Sequence, residues 1–190
     1  LYQQSGNIDV ALESVKDMIE KNPNNKFYWA QWGDILLTKK DYKGAIEKYE
    51  KALENDPNFV LVLRNSASAY KNRASVIQRQ QQDKEDENPD YEADPEEYFP
   101  MLRKSADYFE RVLNSGEADD RMEIIAELVN IYQVLDNKDK LKEYLVELES
   151  MENNIGQSKK ERYYLTLLKV YDALKMTDKL DEVKTKLEQF

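Results

Sequence analysis

The sequence predicts an all-α protein, a solenoid of stacked helical hairpins, and three observations predict it. First, residue types recur at a period of thirty-four: Ala11 as Ala45, Val15 as Tyr49, Met18 as Ala52, Pro23 as Pro57, Trp29 as Leu63, Gly33 as Ala67 and Leu36 as Tyr70. A fixed period of that size marks supersecondary units that each bury an apolar face on the next. Second, apolar residues fall three and four apart in most segments, the spacing of an amphipathic helix. Third, charged residues make up 35% of the chain and mean hydropathy is -0.85, which suits a large solvated surface, and no apolar run is long enough to span a membrane.

Taken in order, residues 8–21 read as a helix with Ala11, Leu12, Val15, Met18 and Ile19 on one face and Asn7 as N-cap. Residues 26–38 and 42–55 form the best-marked hairpin, with Asp41 capping the second arm and Pro57 following it. Residues 59–82 read as one long helix whose stripe runs Val60, Leu63, Ala67, Tyr70, Ala74, Ile77. Between Asp83 and Glu97 stand nine acids and one base, Lys84, so most of the chain's net charge of -10 is local. So many like charges around Asn88-Pro89 predict a loop or a disordered, mobile tip over 83–94. Asp94-Pro95-Glu96-Glu97 then reads as a helix start, with Asp94 as cap, Pro95 first and Glu97 closing a capping box. That helix should bury Tyr98, Phe99, Leu102, Ala106, Phe109, Val112 and Leu113 and end at Ser115-Gly116. Two further hairpins are expected, 119–135 with 138–152 and 158–174 with 177–189. Helix 158–174 is apolar nearly all round, which predicts either burial under the last helix or a patch for a second chain.

Residues Trp29, Trp32, Gly33, Leu36, Ala45, Tyr49 and Pro57 follow the tetratricopeptide pattern W-x2-L-G-x2-Y…A-x3-F…P. The chain thus resembles that family, with Trp32 and Leu36 as apolar-for-apolar departures. Tyr70, Tyr132 and Tyr171 take the Leu36 position in later units, at intervals of 34, 62 and 39 residues. The resemblance implies a right-handed superhelical array over 1–190, one hairpin being elongated by an acidic insert at about 79–94. The units are a partial repeat at 1–24, a repeat at 25–58, the insert-bearing repeat at 59–117, and repeat-like hairpins at 118–155 and 156–190. In the last two, Leu141 and Leu180 replace a small residue such as Ala45, so looser packing is expected there. Gly33, Ala45 and Ala52 should mark close helix–helix contacts.

Function classes narrow quickly. Without cysteine or histidine there is no thiolate nucleophile, no thiolate metal site and no imidazole base. Five glycines form no phosphate-binding loop, and carboxylate pairs are expected by chance among 38 acids. An EF-hand register begun at Asp83 puts Asn88 where glycine is needed and Asp94 where glutamate is needed. Neither catalysis nor a cofactor nor a metal is expected. The negative charge argues against nucleic acid and anionic membranes. The chain starts at Leu1, within a predicted helix, and reads as a fragment, which leaves its compartment open.

What remains is binding. The resemblance implies a concave groove lined by the first helix of each hairpin, receiving a protein or peptide segment. Family ligand positions fall on Phe27, Ala30, Asp34, Leu37 and Thr38, then on Leu61, Arg64, Ser68, Lys71 and Asn72. They continue on Glu123, Ala126, Asn130, Gln133 and Val134, and on Arg162, Leu165, Lys169, Asp172 and Ala173. Of these, Phe27, Asp34, Leu61, Arg64, Ser68, Lys71, Asn130 and Lys169 are the expected partner-binding set. The family's carboxylate clamp is not expected, because Asp34 would repel the carboxylate. The alternative from another class is a structural subunit that self-associates through its C-terminal apolar helices, and a weaker one is a small-ligand site or enzyme.

Overall fold

The computed structural model describes the backbone of residues 2–117 and 120–190 and the side chains of residues 8–117 and 120–190. Its α-helices are α1 (Tyr2–Lys21), α2 (Lys26–Thr38), α3 (Tyr42–Asn55), α4 (Val60–Glu87), α5 (Phe99–Asn114), α6 (Arg121–Val134), α7 (Lys138–Met151), α8 (Gln157–Ala173) and α9 (Thr177–Leu187), and no strand occurs among the described residues. The chain divides into two compact units, Leu1–Glu117 and Ala118–Phe190.

Local chemistry explains the best-marked hairpin. The Asn25 side chain accepts from the Phe27 N–H at 3.0 Å and opens α2; Asp41 accepts from the Gly44 N–H at 3.0 Å and opens α3. The turn between them is a Schellman ending. Lys40 sits at φ 60°, the Lys40 N–H reaches Leu37 O at 2.9 Å, and the Asp41 N–H reaches Leu36 O at 2.9 Å. The same ending recurs at Asp136 (φ 48°) and Lys175 (φ 58°), with Tyr132 O and Tyr171 O as the acceptors of the longer bond. Leu36, Tyr132 and Tyr171 are the repeat positions assigned from sequence, so one backbone turn pins the register in three hairpins. After Tyr70 the turn is missing. The equivalent of Lys40 is Ala74, which is helical and fully buried, and α4 runs on for 28 residues.

Packing in the first unit rests on small residues. Ala45 and Ala52 are fully buried, and Gly33 faces Tyr49 so closely that a Cβ there would lie 2.4 Å from the ring. Leucine at position 52 would have no free volume to enter. Ala52→Leu should therefore lower stability by about 1–3 kcal/mol through overpacking. An unchanged thermal midpoint would show that α3 does not bury this face. In the second unit Leu141 is buried where the first unit has Ala45, and α6 and α7 pack less closely together than α2 and α3 do.

Several expectations need correction. Helix α1 begins at Tyr2, so Asn7 lies within it and not at its N-cap position. Met18, expected on its buried face, is 37% exposed. The acidic segment is not a loop throughout: Asp83, Glu85, Asp86 and Glu87 complete α4. Tertiary bonds outweigh their mutual repulsion. Gln81 is buried, and its Nε2 donates to Asp94 O and to Glu97 Oε2, each at 2.9 Å, tying the helix to the returning strand of chain. Lys84 lies over the Tyr91 ring at 5.3 Å. The capping box does not form either. Asp94 accepts from the Glu96 N–H at 3.0 Å and starts a single 3-10 turn, Pro95–Glu97, while the Glu97 carboxylate is taken by Gln81. Helix α5 begins only at Phe99, and Tyr98 and Phe99 pack edge to face, half-buried.

Candidate functional site

In the first unit the predicted ligand positions lie on α2 and α4. Phe27 is 59% exposed and Leu61 55% exposed, although both are large and apolar. Phe27 meets Phe59 edge to face at 5.3 Å between ring centres. The Lys26 ammonium sits 5.1 Å and 4.7 Å above the two rings and pairs with Asp56, which holds the Asp56 carboxyl below its usual range. Phe27 is thus part staple and part surface. Ala30 is buried, so it offers no contact.

Asp34 is half-buried and occupied. Its Oδ1 accepts from the Tyr49 hydroxyl at 2.7 Å and from Asn65 Nδ2 at 2.9 Å. Tyr49 has no exposed surface; burial first, and the Asp34 hydrogen bond second, push its hydroxyl far above the ordinary tyrosine range. This triad ties α2, α3 and α4 together. Arg64, Ser68 and Lys71 are half-buried along α4, and Arg64 and Lys71 both have interactions of their own.

In the second unit the corresponding positions on α6 and α8 bind one another. Arg162 Nε lies 2.7 Å from Glu123 Oε2, and its terminal nitrogen lies 3.4 Å from Glu127. Lys169 Nζ donates to Asn130 Oδ1 at 2.6 Å, and Gln133 Nε2 donates to Lys169 O at 3.4 Å. Helix α8 buries Tyr163, Tyr164, Leu167, Val170 and Tyr171, while Leu165 is 45% exposed. Among the described residues no group of carboxylates is placed to hold a metal ion.

The comparisons bear on the fold. The tetratricopeptide repeat family model matches residues 27–59. A MamA crystal structure superposes with a TM-score of 0.68 at 16% identity over 98% of this chain and 84% of that one. MamA from Desulfovibrio magneticus RS-1 gives 0.66 at 15% identity, over 98% and 87%. The Podosopora anserina putative kinesin light chain with TPR-like repeats gives 0.68 at 13% identity, over 99% and 89%. Residues 27–59 match a tetratricopeptide repeat, and the chain has the fold of tetratricopeptide-repeat structures. Among curated proteins none matches its sequence.

Tetratricopeptide repeats are in general protein–protein interaction modules. No described helix is long and apolar enough to cross a membrane. The predicted positions fall on α2 (Phe27, Asp34) and α4 (Leu61, Arg64, Ser68, Lys71) in the first unit, and Asn130 on α6 meets Lys169 on α8 in the second. Sequence reasoning missed Phe59, Lys26, Asn65 and Tyr49 as their supporting residues. Phe59 carried a readable signal, since it stands just after Pro57 and one repeat, less two residues, from Phe27. Asn65 carried none, because a lone polar residue on a helix names no partner.

Proposed function

We propose that the face formed by α2 and α4 receives an extended or helical segment of a partner protein, anchored on Phe27 and Leu61 and flanked by Arg64 and Lys71. The observation that carries this reading is the exposure of two large apolar side chains at corresponding positions of adjacent first helices, Phe27 at 59% and Leu61 at 55%. An apolar anchor beside cations favours a segment carrying apolar and acidic residues. Asp34, being held by Tyr49 and Asn65, shapes this face more than it contacts a ligand. We read the protein as a non-catalytic scaffold with no nucleic-acid partner.

The test is a pull-down with the chain as bait followed by titration of the recovered partner. Phe27→Ala and Leu61→Ala should each weaken binding by about 2 kcal/mol with the helical signal unchanged, as truncation of a true anchor does. If both variants keep wild-type affinity while folded, the partner docks elsewhere.

A further inference from the structure

We propose that a cavity in the first unit, between the start of α4 and the end of α5, binds a free α-amino acid with an apolar side chain. The cavity measures about 430 Å³ and is lined by Asn58, Val60, Leu63, Arg111, Asn114, Ser115 and Glu117. That volume suits a small ligand.

Three features select the chemistry. The Arg111 guanidinium is fixed: a terminal nitrogen donates to Pro57 O at 2.5 Å, and the group stacks 5.3 Å from the Tyr108 ring centre. Among the described residues no carboxylate comes within ion-pair distance of it, and a guanidinium's planar fork of donors suits a ligand carboxylate. Glu117, exposed at the same cavity, pairs with no described cation, and it does not pair with Arg111. The cavity therefore presents one cation and one anion that are not joined to each other. A simple anion would meet Glu117 and a simple cation would meet Arg111, so a zwitterion is the ligand that satisfies both. Val60 and Leu63 supply an apolar wall for its side chain, and the amides of Asn58 and Asn114 add donors and acceptors.

Calorimetric titration of the full chain with leucine tests this. Saturable binding of leucine is expected. 4-Methylpentanoate lacks the ammonium and isopentylamine lacks the carboxylate, and each should bind at least about tenfold more weakly, the loss of one charge-assisted contact. Arg111 also braces Pro57 O, so the decisive variant is Glu117→Gln, on an exposed turn. It should weaken leucine about tenfold without weakening 4-methylpentanoate, whose carboxylate no longer faces the Glu117 charge, a split that a merely structural role would not produce. No saturable leucine binding, or equal leucine affinity in Glu117→Gln, overturns the proposal and leaves the partner surface on α2 and α4 untouched.

Discussion

Replacing Tyr49 by alanine should lower stability by about 3–5 kcal/mol, the cost of deleting a buried aromatic ring. Tyr49 has no exposed surface, and its ring fills the space left by the missing side chain of Gly33. Its hydroxyl also supplies one of the two hydrogen bonds that hold Asp34. Tyr49→Phe separates these roles: it keeps the ring and should cost about 1.5–3 kcal/mol, the range for a lost hydrogen bond to a charged group. Both tryptophans, Trp29 and Trp32, stand on α2 beside this core, stacked at 5.9 Å. Denaturation followed by tryptophan fluorescence therefore reads the damage directly. Equal midpoints for wild type and Tyr49→Ala would mean that the α2–α3 contact is not a stabilising core.

Leu148→Ala should lower stability by about 2–5 kcal/mol, because a fully buried leucine leaves a cavity that neighbouring helices cannot close. Leu148 has no exposed surface, and its carbonyl accepts the Tyr163 hydroxyl at 2.9 Å, so it locks α7 to α8. The substitution spares that backbone bond, which confines the effect to packing. Circular dichroism at increasing denaturant should show an earlier loss of helix. A midpoint within error of wild type would place Leu148 outside any tight core. The same unit carries an ionic clasp at its end: Lys186 reaches Glu152 at 2.6 Å and Glu182 at 3.4 Å, which lowers the Glu152 carboxyl and raises the Lys186 ammonium from their ordinary values. Such a partly exposed clasp contributes far less than Leu148 does.

Much of this molecule was legible before any coordinate. The thirty-four-residue period named the fold class, and α2 and α3 fall where the hairpin spacing, Asp41 and Pro57 place them, since side-chain caps and proline act within a few residues of where they stand. Gly33, Ala45 and Ala52 were readable as close contacts because only small residues permit them. Phe27 and Leu61 could be placed at the ligand positions that the resemblance implies, but their exposure could not be read, because an apolar residue at a helix start serves equally as staple or anchor. Tertiary structure alone decided where α4 ends. Local repulsion among Asp83, Glu85, Asp86 and Glu87 argued for a loop, yet Gln81, reaching Asp94 and Glu97 across the turn, holds the helix through Glu87. It also decided that Asp34 is engaged by Tyr49 and Asn65, and that Arg111 and Glu117 share a cavity without meeting. Periodicity and capping are local and are written in neighbouring residues; the pairing of charges depends on which distant side chains the packed helices bring within reach.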